Sequence, residues 1–275
     1  MSGPSREKQG LFPLTGFVLL LAGSLVLAGF VGPVFPDSTD SLTLGEAFYM
    51  TGDLAGASGK LGEAARSDQA SRAFRALYLL GRISLLQGDF RQSKEFFERA
   101  ADIGRDSGRR WMALAGIGDA LFGSGRHEEA VRRYRLAVGE ASPGVDRAVI
   151  EVKMALCEHE LGHQNEATAR LGKALSKIPL LSGWVGREEE FYHSMSMIGF
   201  GAPASNGEKI LLLLGPVEGT VPLYDLIGPD VPVKEVWKQG KVFLEIGPLG
   251  DVVEAMILSE KIRAASPLPL EILTR

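Results

Sequence analysis

Apolar and polar positions follow three regimes along the chain. Residues 11–31 are uncharged throughout and densely apolar from Phe17 onward. Between about 41 and 200 the apolar positions recur at helical spacing. From about 208 they contract into runs of strand length, Lys209 to Leu214, Val231 to Trp237, Lys241 to Ile246 and Leu268 to Leu273, with a helical stretch at 251–264 before the last run. The expected fold is mainly α and then α+β: a membrane-spanning helix, an all-helical domain and a small βαββαβ domain.

The middle regime repeats itself. Four segments align at a period of 36 to 37 residues, each marked by a small residue followed seven positions later by alanine: Ala57/Ala64, Ser93/Ala100, Ala130/Ala137 and Ala167/Ala174. A larger side chain stands inside each pair, Leu61, Phe97, Tyr134 and Leu171, and a glycine stands five positions before it, at Gly52, Gly88, Gly125 and Gly162. Further upstream come Leu44-Gly45, Leu80-Gly81, Ile117-Gly118 and Met154-Ala155. A helix hairpin requires these types in this order. Small residues let two helix backbones approach, bulky ones fill the groove between them, and glycine makes the turn.

This pattern resembles the tetratricopeptide repeat over residues 38–179. The resemblance implies an α-solenoid of four hairpins, with residues 185–199, bearing Glu188, Phe191 and Met195 at helical spacing, as a capping helix. The fourth unit carries Glu151 and Glu158 where the family prefers apolar residues, so its first helix is expected to be shifted or partly exposed. In such arrays the first helix of each hairpin lines a concave groove. Mapping the chain onto that face selects Glu46, Tyr49, Tyr78, Arg82, Asp119, Phe122 and His159 as a protein-binding groove, or as residues that solvate the inner face or pack on the chain's own termini.

The apolar N-terminal segment is long enough to cross the roughly 30 Å hydrocarbon core of a bilayer as a helix. Its exit, Gly32-Pro33-Val34-Phe35-Pro36, is a poor cleavage site for a signal peptidase. Arg6 and Lys8 precede it while Asp37 and Asp40 follow, so the positive-inside bias puts the N-terminus in the cytoplasm and the bulk outside. The expected divisions are a cytoplasmic 1–10, a transmembrane helix at 11–32, a linker at 33–40, a repeat domain at 41–200, a Gly/Ala/Pro/Ser/Asn linker at 201–207 and an α/β domain at 208–275.

In the last of these, two strands end in matching triplets, Gly215-Pro216-Val217 and Gly247-Pro248-Leu249. The duplicated strand-Gly-Pro-apolar motif, with Ala255 followed by Ile262, resembles the SPOR module, a bacterial cell-envelope domain that binds septal peptidoglycan stripped of its stem peptides. The resemblance implies a ferredoxin-like antiparallel sheet with both helices on one face and the glycan on the other. Its candidate sheet face is Leu211, Leu213, Lys234, Trp237, Phe243 and Glu245. Two of these depart from the family, because Leu213 and Glu245 stand where Gln and Arg are frequent. An apolar face of this kind suits a protein, or the chain's own repeats, better than a sugar that needs hydrogen-bond donors.

Net charge narrows the partners. At −4 the chain has no global basic field for nucleic acid. A catalytic or metal centre needs convergent groups, and the sequence offers few. His159 and His163 are four apart but interrupted by Gly162; Gly52 to Lys60 has the wrong spacing for a phosphate loop, and Leu61 replaces its hydroxyl. The single cysteine, Cys157, reads as inert packing. No catalytic residue, metal or cofactor is expected. The two resemblances together imply a non-enzymatic scaffold of the bacterial inner membrane, bulk periplasmic, which recruits a protein through its repeats and contacts peptidoglycan glycan strands through its terminal module. The alternative is a subunit of a larger envelope complex whose terminal module docks protein and binds no glycan.

Overall fold

The computed structural model describes residues 40–197, 210–217, 227, 231–249 and 252–274. The expected membrane span at 11–32 and the linker at 201–207 lie outside the described residues. Among the described residues, no helix is long and apolar enough to cross a membrane.

Eight of the described helices pair into four hairpins: α1 (Ser41–Met50) with α2 (Leu54–Ala64), α3 (Ala70–Leu86) with α4 (Phe90–Ile103), α5 (Arg110–Gly123) with α6 (His127–Glu140), and α7 (Val145–Glu160) with α8 (Gln164–Leu175). One device closes all four turns. Gly52, Gly88, Gly125 and Gly162 take φ of 78°, 75°, 76° and 80°, a conformation that a Cβ disfavours. The next residue then donates its N–H to a carbonyl five positions back, Asp53 to Phe48, Asp89 to Ser84, Arg126 to Leu121 and His163 to Glu158, each at 2.9 Å. Asp53 and Asp89 also start the following helix, their carboxylates accepting from the N–H groups of Gly56 and Gln92 at 2.9 Å.

The aligned residues meet where the two helices of a hairpin cross. Ala57/Ala64, Ser93/Ala100, Ala130/Ala137 and Ala167/Ala174 are all buried, as are Leu61, Phe97, Tyr134 and Leu171 between them. Each of the first three bulky residues lies directly against the glycine of the preceding helix. A Cβ built on Gly45 would sit 2.8 Å from Leu61 Cγ, on Gly81 2.7 Å from Phe97 Cε1, and on Gly118 2.4 Å from Tyr134 Cε1. Phe97 is gripped from both sides, since Gly116 of α5 approaches the same ring atom to 2.6 Å. In the fourth hairpin Ala155 stands at the glycine's position, and it and Leu171 are fully buried in one cluster.

The expected shift of the fourth unit does not occur. Helix α7 runs unbroken through both glutamates, because each carboxylate finds a cation. Glu158 is buried but accepts from Arg170 Nε of α8 at 2.8 Å, and Glu151 pairs with Lys177 at 3.0 Å. A short 3-10 helix (Pro179–Trp184) and α9 (Glu188–Met197) then close the array. Phe191 and Met195 of α9 are fully buried, in one cluster with Leu171 and Leu175.

The C-terminal module is a four-stranded antiparallel sheet of β1 (Ile210–Leu214), β2 (Val233–Lys238), β3 (Lys241–Leu249) and β4 (Leu270–Thr274), with α10 (Val252–Ala265) between the last two. The strand order β2-β3-β1-β4 is that of a ferredoxin-like sheet. The duplication seen in the motif is a symmetry of the fold. Gly215, after β1, donates to the carbonyl of Pro269 just before β4, and Gly247, in β3, donates to that of Pro232 just before β2, at 3.0 and 2.7 Å.

Helix α10 is buried on two sides. Ala255, Leu258 and Ile262 pack with Leu212, Leu214, Leu244 and Ile246 of the sheet. Val252, Val253 and Met256 pack instead with Ala148, Val152 and Leu156 of α7 and with the capping elements. The helix therefore joins the module to the repeats by taking part in two apolar clusters, one with the sheet and one with the array.

Candidate protein-interaction groove

Helix α10 packs on α7 and on the 3-10 helix, and it reaches α3 through an ion pair. Tyr78 and Arg82 are one turn apart on α3, so their side chains project in the same direction. Arg82 Nη2 donates to both carboxylate oxygens of Glu254, in the first turn of α10, at 2.8 Å. The pair is well shielded, with side-chain exposures of 14% and 26%. Burial is the strongest single influence and works against the charge on Arg82, but the field of Glu254, together with smaller contributions from Tyr49, Tyr78 and the hydrogen bond to Glu254, outweighs it and raises the guanidinium well above its ordinary range. Burial likewise raises the Tyr78 phenol, which stays neutral and stacks against Phe74 and edge-on to Phe97.

A second polar group bridges the next two repeats. Asp119 of α5 accepts from Tyr134 Oη at 2.7 Å and from Lys153 Nζ of α7 at 3.0 Å. Between these two ion pairs and α10 remains a partly open cavity of ≈ 410 Å³. Trp111, Met112, Val149 and Ile150 line its repeat side, and Ile227, Val231, Ile257 and Leu258 its module side. An apolar space of this size, at a junction of two modules and flanked by a few fixed charges, has the anatomy of a binding site.

Of the seven groove residues expected from the sequence, Tyr78, Arg82 and Asp119 line this cavity. The others are engaged elsewhere. Glu46 accepts from Arg75 Nε at 2.7 Å, and Tyr49 is buried in the core of the first two hairpins. Phe122 packs beside His127 at 5.0 Å between ring centroids. His159 stacks on Tyr192 of α9 at 4.2 Å, while His163 heads α8, so the two histidines serve the capping region and the turn.

The sheet-face set divides. Leu213 is opposite Glu245, Lys234 opposite Glu245, and Val236 opposite Phe243, which puts Leu211, Leu213, Lys234, Phe243 and Glu245 on one face. Trp237 does not belong with them. It is opposite Val242, in phase with Leu244 and Ile246 on the helix-covered side, and is 63% exposed at the open end of that side. Leu211, Leu213 and Glu245 are buried, Glu245 to 3% exposure, and the Glu245 carboxylate takes Lys234 Nζ at 2.6 Å. Among the described residues, α10 carries the apolar contact of the module with the repeats.

Sequence reasoning missed Glu254, Lys153 and Trp111. The first two were detectable in principle, since Arg82 and Asp119 were assigned to a concave face without a counter-charge. Trp111 carried no signal, because it stands outside the aligned repeat positions.

A family model described as Tetratricopeptide repeat matches residues 74–106, which cover most of the second hairpin. Three further hairpins are built on the same turn, so the match supports a repeat array of tetratricopeptide type, and such repeats suggest a protein-interaction or scaffold role. The sequence matches no curated protein.

Proposed function

We propose that this chain is a scaffold of the bacterial cell envelope, anchored in the inner membrane by residues 11–32, whose repeats and terminal module act together as one protein-docking unit. The observation that carries the docking part is the junction itself. An apolar cavity with fixed charges on both sides is assembled from both modules, which is the anatomy of a binding site. Tetratricopeptide arrays are typically non-catalytic, and the second hairpin matches that family directly.

Peptidoglycan contact is the second reading, favoured by the β2-β3-β1-β4 order and the duplicated Gly-Pro strands. Against it, Leu211, Leu213 and Glu245 are buried on the face that would meet the glycan. Co-sedimentation of the full chain in detergent with peptidoglycan, before and after amidase removal of stem peptides, separates the two. The protein-docking reading expects no preference for the stripped glycan, and a clear preference overturns it. Anchoring is tested by a reporter fused after Arg275: activity of a cytoplasm-only reporter there overturns the periplasmic orientation.

A further inference from the structure

The chain's own α10 shows what the inner face of the repeats accepts. Three features of that helix are matched by the surface beneath it. Glu254, in its first turn, meets Arg82. Val252, Val253 and Met256, at spacings that share a helix side, meet the Val152 and Leu156 side of α7. Ile257, one turn on from Val253, points toward the remaining cavity without filling it. The surface is therefore complementary to a helix with an early carboxylate and apolar residues along one side, and it has room for larger side chains than α10 supplies.

We propose that the concave face is a receptor for an amphipathic helix of a partner protein, with a carboxylate in its first turn and bulky apolar residues one turn further on, and that α10 is the intramolecular stand-in for that helix. This rests on the docking role proposed above and specifies its ligand. A tethered helix competes at an effective concentration of about a millimolar, so a partner must offer what α10 lacks. The unfilled ≈ 410 Å³ is that advantage, because larger apolar groups at the Ile257 position gain contacts α10 does not make. Charge complementarity with Arg82 sets orientation, since reversing the helix takes its acid away from the guanidinium.

The probe is a fluorescent peptide of residues 252–265, added to the full chain in detergent and read by anisotropy. In the intact chain α10 blocks the groove. E254R sets two cations against each other and releases the helix, so the native peptide binds the E254R chain at least about tenfold more tightly than the unaltered chain. R82E releases α10 by the opposite repulsion, and there only a peptide carrying arginine at position 254 binds. If E254R does not fold, judged by circular dichroism, the R82E arm decides alone, and the reverse holds. Equal binding to all chains, or none to a folded released chain, overturns the proposal. If the released chains pair with one another in a concentration-dependent dimer, the occupant is a second copy and the partner-helix assignment falls. The protein-docking reading survives each of these failures, because it is decided separately by co-sedimentation with the stripped glycan.

Discussion

The ring of Tyr134 lies on the backbone of Gly118 so closely that a Cβ there would come within 2.4 Å of Cε1, while its hydroxyl donates to the neighbouring Asp119 at 2.7 Å. One residue thus fixes the crossing of α5 and α6 and orients an acid of the groove. Gly118→Ala must push the ring off its seat and is expected to lower stability by about 2 kcal/mol in urea unfolding. Gly59→Ala, in the exposed middle of α2 with nothing within 4 Å of the new Cβ, is expected to raise it by about 0.5–1 kcal/mol. Equal effects at the two sites would remove the close-packing account of the repeat.

The turn glycines make a different demand. At Gly125, φ is +76° and an added Cβ meets nothing within 4 Å, so any cost of Gly125→Ala is conformational and not steric. A loss of about 1 kcal/mol is expected, with Gly125→Asn recovering part of it because asparagine tolerates this region. An alanine variant as stable as the parent chain would show that the turn can be made another way.

Cys157 is fully buried on α7, and burial pushes its thiol well above the ordinary range. The thiolate is the reactive form, so Ellman's reagent is expected to react on the order of 100-fold more slowly with the native chain than with the same chain in guanidinium. Since this is the only cysteine, the rate reports opening of the α7 region alone. Rapid labelling under native conditions would contradict the packing of that helix.

At the start of the array Asp40 caps α1, accepting from Thr43 N–H at 3.2 Å, and also accepts from the Arg72 side chain. Arg72 first, and the Thr43 hydroxyl second, hold its carboxyl well below the usual carboxylate range. A carboxyl depressed in the folded state stabilises fully above its unfolded pKa of about 3.9, and that contribution is lost as pH falls further. Asp40→Asn keeps a good capping group but removes the charge. It should therefore lower Tm near neutrality and show a weaker decline toward pH 3 than the parent, and parallel Tm curves would rule the ion pair out as a source of acid sensitivity.

The repeats were legible because the chain states one steric requirement four times. Gly52, Gly88, Gly125 and Gly162 each mark a turn, and the alanine pairs mark each crossing, so register follows from alignment alone. The fate of Glu158 was not legible. A lone acid in an apolar slot says nothing of the Arg170 that meets it twelve residues later. Nor was the role of α10, whose two apolar sides read like one broad side until the sheet takes Leu258 and the repeats take Met256. The grouping of Lys234 with Trp237 was refutable from the sequence itself, because residues three apart on a strand point to opposite faces.

Burial of α10 on both sides also limits how the module can leave the repeats. The helix cannot peel off the array alone without abandoning Leu258 and Ile262 to water, so sheet and helix must depart as a single body. The departure exposes Val152 and Leu156 together with Val252 and Met256 and breaks the Arg82–Glu254 pair in the same event. Half-open states are poor compromises under these conditions. The chain should therefore respond to a competing ligand as an abrupt two-position device, either shut or released, with few molecules in between.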